Sequence, residues 1–259
     1  MEPEVLFSLN DLCFSYGDKP VIDHLNGTIK KGKVTTLIGA NGSGKSTLLN
    51  LMTRNLTPQQ GRILLEGRNI AEFKPKEYAK EVAIVHQYNT APRDLLVEKL
   101  IEYGRTPYRT FGLPTDAKKD QEKVEWALDV TNTSLLRETP VDNLSGGQKQ
   151  RVWIAMALAQ DTGVLMLDEP TTYLDIRYQL DILRLVRTLN YVYGLTIVMV
   201  LHDINQALYY SDEILAMKDG NLLAAGAPEE VITKDLIEEV FDLPLELREV
   251  DGKPFVLPI

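Results

Sequence analysis

The stretch Gly39-Ala40-Asn41-Gly42-Ser43-Gly44-Lys45-Ser46, continued by Thr47, constrains this chain more than any other. An apolar run at residues 33–38, read as a short buried strand, precedes it, and a helix-forming run begins at Lys45. Glycines at the first, fourth and sixth positions allow backbone angles closed to other residues, so successive N–H groups can converge on one point. The start of the following helix adds a dipole that favours an anion. Lys45 supplies a point charge, and Ser46 a hydroxyl able to ligate Mg²⁺. The whole is a cradle for a polyphosphate, which requires a strand–turn–helix unit and therefore an α/β core.

The rest of the chain reads as α/β with an insertion. Residues 5–31 mix β-branched and apolar positions around turns at Gly17-Asp18 and Asn26-Gly27, which predicts an antiparallel β region. Residues 63–65 and 82–85 are further candidate strands. From about 89 to 143 helix formers dominate, at 95–103 and 117–130, with punctuation at Pro107, Gly112 and Pro114. One domain over 1–259 is expected, with 1–88 and 144–259 forming the core and 89–143 a helical subdomain. Residues 164–167 and 196–201 read as buried parallel strands, each followed by a helix. Beyond Gly226 a helical segment and a short tail are expected.

A net charge of −9 argues against non-specific nucleic-acid binding, which needs surplus Lys and Arg. No apolar run approaches the roughly 20 residues of a membrane-crossing helix. The start, Met1-Glu2-Pro3-Glu4, lacks the basic and apolar segments of a signal peptide. Work at a membrane would therefore pass through a docked partner. Cys13, the one cysteine, is read as a small packed hydrophobe. His24 and His86 are read as non-functional, with no acid or cysteine cluster around them.

Two further motifs complete the chemistry. Residues 164–169 form an apolar strand ending in Asp168 and Glu169. The first acid can hold the Mg²⁺ shell, and the second, pointing elsewhere, can polarise an attacking water. Residues 144–148 read Leu144-Ser145-Gly146-Gly147-Gln148 and open an Ala-rich helix over 152–160, so Ser145 and the glycine amides make a second anion site at a helix start.

Here the sequence resembles the ATP-binding-cassette (ABC) ATPases, over essentially its whole length. The resemblance implies a P-loop NTPase core of ABC type with an antiparallel β subdomain and an inserted α-helical subdomain. It also implies ATP and Mg²⁺ as cofactors, and a head-to-tail dimer with itself or a paralogous ATPase. In that dimer Ser145, Gly146, Gly147, Gln148 and Asp175 would complete the partner's ATP site. It further implies that Gln87 contacts Mg²⁺ and water, that Ser46 and Asp168 ligate the ion, and that Glu169 is the base. His202 matches the switch histidine at the γ-phosphate. Tyr16 matches the aromatic on which adenine stacks, although a strand aromatic also suits plain packing.

With one copy of each motif, no fused membrane spans, no long heptad arms and no CxxC pairs, an importer's separate ATPase subunit is the leading branch. Tyr103-Gly104-Arg105-Thr106-Pro107-Tyr108, residues 168–179 (DEPTTYLDIRYQ) and 201–207 (LHDINQA) look closest to siderophore importers of hydroxamate and catecholate type. The "GR-x-P" portion also reads as a helix end with Pro as a stop. Haem, vitamin B12 or another chelate remain alternatives, as does a non-transport cytosolic ATPase. Ala40 stands where Pro is usual, and Leu96 where Thr is usual. The expected partners are a permease docking near the helical subdomain and, indirectly, a substrate-binding protein. The expected place is the cytoplasmic side of the cell membrane.

Overall fold

The computed structural model describes residues 4–109, 116–250 and 253–257; Gly112, Pro114 and the start at 1–3 lie outside them. The chain forms two compact units, Met1–Glu72 with Thr196–Ile259, and Phe73–Leu195. Among the described residues no helix is long and apolar enough to cross a membrane.

In the first unit the alternating pattern at 5–31 becomes two long antiparallel strands, Val5–Tyr16 and Lys19–Lys30, reversing at Gly17-Asp18. Gln60–Leu65 pairs with the first of them and Arg68–Asn69 adds an edge. Phe7, Leu9, Leu12, Ile22 and Ile29 are buried on this sheet. Asn26-Gly27 is not the expected turn: it lies inside Lys19–Lys30, where Gly27 pairs with Leu9. A Cβ on Gly27 would meet Leu222 Cδ2 at 3.1 Å, so this glycine serves close packing rather than chain reversal.

A second sheet in the same unit centres on Val34–Ile38, which runs parallel to both Thr196–Val200 and Glu213–Lys218. All residues of Val34–Ile38 and Thr196–Val200 are buried, as a parallel strand covered on both faces requires. Asn221–Gly226 adds an antiparallel strand beside Glu213–Lys218. Past Gly226 come two short helices, Pro228–Val231 and Lys234–Phe241. The expected tail is instead a hairpin, Glu246–Val250 with Lys253–Leu257. Its last strand is fixed by Asn205, whose side chain accepts from the Val256 N–H at 2.8 Å and donates to the Val256 carbonyl at 2.9 Å.

In the second unit Val82–Val85 and Val164–Leu167 pair in parallel, Val85 opposite Leu167. The expected helix at 95–103 is shorter, Val97–Glu102, and tightens into a 3₁₀ turn over Tyr103–Tyr108. That turn packs closely: a Cβ on Gly104 would sit 2.1 Å from the Met156 carbonyl of the helix Gly146–Ala159, so only glycine fits. Ala117–Val130 forms the helix expected there, and Ile176–Tyr193 ends on Gly194 in the left-handed conformation.

Arg105 explains why the 103–108 stretch has its composition. Its side chain is 1% exposed; Nε donates to Asp120 Oδ1 at 2.8 Å and Nη1 to the Ala159 carbonyl at 2.7 Å. The guanidinium lies 3.9 Å from the centre of the Tyr108 ring. Removing one partner of a buried pair strands the other charge, at roughly 3–5 kcal/mol. Arg105→Ala is therefore expected to lower the unfolding free energy by about 3 kcal/mol in urea titration. Arg109→Ala, removing a 45% exposed side chain 3.8 Å from the same carboxylate, should lower it by less than about 1 kcal/mol. Equal losses would contradict the assignment of Arg105 as the anchor.

Candidate active site

The first unit carries the cradle. Gly39 follows the strand Val34–Ile38 directly, and Gly44 (φ +101°) caps the helix Lys45–Met52. Gly39 and Gly42 also take positive φ, 153° and 83°. Two of these glycines are demanded by space as well as by φ. A Cβ on Gly39 would lie 2.2 Å from the Met217 carbonyl, and one on Gly44 would lie 2.9 Å from the Val21 carbonyl. Neighbouring strands therefore press the loop into shape from behind. Lys45 is buried, its Nζ donating to the Gly39 and Ala40 carbonyls at 2.9 Å and to Ser43 Oγ at 3.3 Å. Asn41 and Gly42 are exposed, while Ser43 and Thr47 are buried and Ser46 is half-buried. A turn of small residues leading into a helix start, with an ammonium bonded across it, is the chemistry that suits a polyphosphate.

Two other predicted residues belong to this unit. Tyr16 ends the strand Val5–Tyr16, 54% exposed, with its ring edge-on to Phe14 at 5.0 Å. Its face is not consumed in the core. His202 is exposed two residues past the buried strand Thr196–Val200, next to Asp203, which caps the helix Ile204–Tyr210 by accepting from Gln206 N–H.

The second unit gathers the acids and the amide. Val85 and Leu167 are neighbours in the parallel pair, so the segments that leave them run side by side. Asp168, buried, donates its backbone N–H to the Val85 carbonyl at 2.9 Å. Glu169 takes φ +50°, and its Oε2 accepts from Gln87 Nε2 at 2.6 Å and from Thr172 Oγ1 at 3.0 Å. Sequence reasoning brought Gln87 and Glu169 to one chemistry but missed Thr172. Its hydroxyl reaches the carboxylate across the turn that follows Glu169, where the Thr172 N–H also donates to the Glu169 carbonyl at 3.3 Å. Tyr88 and Tyr173 flank the group, exposed, with hydroxyls 3.2 Å apart. Tyr173's hydroxyl, and more weakly the Glu169 charge, push the Tyr88 phenol above its ordinary value. Tyr88 thus stays neutral beside the acid.

Residues 144–148 form a helix start in the same unit, with the helix beginning at Gly146, earlier than the expected 152. Ser145 is the N-cap of Gly146–Ala159: its Oγ accepts from Gln148 N–H at 3.4 Å, and its own N–H donates to Gln148 Oε1 at 2.9 Å. Ser145 and Gly146 are exposed, whereas Gly147 is buried against Tyr178. A Cβ on Gly147 would lie 2.4 Å from that ring, so Tyr178 requires the second glycine. Asp175, also exposed, is the N-cap residue of Ile176–Tyr193.

The ABC transporter family model matches residues 22–172. Over 253 residues the chain is 48% identical to the Bacillus subtilis protein named "Probable siderophore transport system ATP-binding protein", covering 97% of this chain and 92% of that one. It is 45% identical over 241 residues to the iron(3+)-hydroxamate import ATP-binding protein of the same organism, covering 93% and 89%. A solved dimeric bacterial ABC transporter cassette matches with a TM-score of 0.75 at 27% identity, covering 86% of this chain and 99% of that one. The chain belongs to the ABC transporter family. Its fold is that of the family's ATPase cassettes.

The structure corrects two sequence readings outside the ABC motifs. Cys13 is half-buried rather than a packed core residue. His24 does have acid and thiol neighbours: Nδ1 lies 2.7 Å from Asp11 Oδ1, and Cys13 and Asp23 stand close by. The strands Val5–Tyr16 and Lys19–Lys30 bring these residues together across ten or more positions, out of sight of any local pattern. His86 is half-buried, with its carbonyl accepting from Asn89.

The cradle makes a prediction that needs no nucleotide. Gly39→Ala combines unfavourable φ with a backbone clash and should destabilise the fold by more than about 2 kcal/mol. Gly42→Ala meets nothing within 4 Å and should cost about 1 kcal/mol through φ alone. Denaturant unfolding of both variants checks the order; equal losses would mean that the loop is not pressed against Met217.

Proposed function

We propose that this chain is the ATP-hydrolysing subunit of an importer that takes up iron–siderophore complexes through a separate permease, working as a head-to-tail dimer. The observation that carries the reading is a phosphate cradle and, in the same chain, a second exposed anion-type helix start at Ser145–Gly146. One nucleotide does not need both, so the second belongs to the nucleotide of another copy. The relatives support the cargo by their names, one a siderophore transport ATP-binding protein and one an iron(3+)-hydroxamate import ATP-binding protein.

The roles proposed for the residues follow their chemistry. The amides of 39–47 hold the phosphates of ATP, Lys45 and His202 offset the charge that gathers on the transferring phosphoryl group, and Tyr16 stacks on adenine. Glu169 takes the proton of the attacking water, whose oxygen bonds to the γ-phosphorus as ADP leaves. Gln87 and Thr172 hold that carboxylate in aim. Ser145, Gly146, Gly147, Gln148 and Asp175 act on the partner copy's nucleotide. Mg²⁺ fits a hydroxyl, an amide oxygen and a buried carboxylate, the hard oxygen donors of Ser46, Gln87 and Asp168, and when bound it supplies neutralising charge at the phosphates. Residues 89–143 are proposed as the helical subdomain that meets the permease, and the complex as peripheral on the cytoplasmic side of the cell membrane.

Uptake tests this directly. In cells deleted for the gene, labelled ferric hydroxamate or catecholate siderophore uptake should fall at least tenfold. The wild-type gene should restore it and Lys45→Ala should not. Loss confined to haem or vitamin B12 uptake would move the cargo to that chelate, and unchanged uptake of every chelate would overturn the importer reading.

A further inference from the structure

The pairing of Val5–Tyr16 with Lys19–Lys30 shifts register at several points, one of them between Leu12 and Phe14. Leu12 pairs with Leu25 and Phe14 with Ile22, so two residues, Asp23 and His24, stand opposite the single Cys13. A bulge of this kind re-aims side chains, and His24 takes φ +46° within it. The result is a cluster in which one ligand atom each of Cys13, Asp23 and His24 lies within 4.8 Å of the others. Donors about 2.0–2.3 Å from a common tetrahedral ion stand roughly 3.3–3.8 Å apart, so a side-chain adjustment of about 1 Å draws the three atoms to ligating distance.

The surroundings are organised rather than incidental. The His24 backbone N–H donates to Cys13 Sγ at 3.4 Å, which ties the sulfur to the bulge. The His24 ring is held through Nδ1 by Asp11 Oδ1 at 2.7 Å, and Asp11 Oδ2 in turn accepts from Gln60 Nε2 at 2.7 Å. Asn26 closes the ring of bonds, accepting from the Asp11 N–H and donating to the His24 carbonyl, both at 2.9 Å. A carboxylate gripping an imidazole is how ligating histidines are fixed in orientation. Asp23 and His24 are exposed, so the cluster opens to solvent.

We propose that Cys13, Asp23 and His24 form a binding site for Zn²⁺ or a chemically similar divalent transition-metal ion, with its fourth position open to water. Thiolate, imidazole and carboxylate are a borderline-soft set, suited to such ions rather than to Mg²⁺ or Ca²⁺. The site uses none of the residues assigned to ATP and is independent of the cargo.

The chain's single cysteine makes the test specific. Chelator-stripped full-length protein is titrated with Co²⁺ and followed by its near-ultraviolet thiolate-to-cobalt charge-transfer band, which can arise only at Cys13. The band should saturate at one equivalent per chain and be bleached by Zn²⁺. Cys13→Ser should abolish it, and His24→Ala and Asp23→Asn should each weaken Co²⁺ binding at least tenfold. Asp11→Asn, which keeps all three ligands, should weaken it by about tenfold through the imidazole. Metal-free melting curves show that each variant is folded before it is scored. No band in the wild type, half an equivalent per chain, or unchanged affinity in both His24→Ala and Asp23→Asn would overturn the proposal.

Discussion

Everything this molecule does with a nucleotide depends on holding a strained loop still. The turn that aims its amides at a phosphate takes positive φ at Gly39, Gly42 and Gly44, a conformation that L side chains rarely adopt, and an isolated peptide would not keep it. Here the loop is set by its neighbours. Val34–Ile38 delivers it from a fully buried parallel strand, and the Met217 and Val21 carbonyls leave no room for a Cβ at Gly39 or Gly44. Lys45 bonds back to two loop carbonyls. The loop's shape is thus a property of the two sheets of its unit that press on it, as electrostatic preorganisation requires.

A comparable economy governs the acid. Glu169 stands in a left-handed turn after a buried strand, with Gln87 and Thr172 on one carboxylate oxygen. Gln87 arrives because its strand pairs in register with the one that delivers Glu169. The helix start at Ser145 is capped, exposed and kept slim at Gly147 by the Tyr178 ring. In our reading each chain therefore presents two half-sites, and the nucleotide joins them across a dimer.

The parts of this architecture that were legible in the sequence are local. Glycine spacing around Lys45, unbroken apolar runs at 164–167 and 196–201, and the helix formers at 117–130 each carry their own signal, and the structure has the corresponding elements. What escaped depends on partners distant in sequence. Asn26-Gly27 carries a turn dipeptide yet lies within a strand, because packing against Leu222 overrides the local preference. The terminal hairpin was missed although Asp251-Gly252 is a turn signal, since its flanking residues alternate weakly. Thr172 and the Cys13–His24 cluster arise from the turn after Glu169 and a bulge, neither of which composition reveals. Arg105 was noticed for its resemblance, and burial gives it a structural reason of its own.

The central claim is that ATP closes two copies and that Glu169 is needed to open them. Sedimentation velocity of Glu169→Gln, with and without ATP and Mg²⁺, measures it most directly. A monomer without nucleotide and a stable dimer with ATP, returning to monomer when Ser145→Arg is added, is the predicted result. A species that stays monomeric with ATP bound, or a variant that hydrolyses ATP at the wild-type rate, would contradict it.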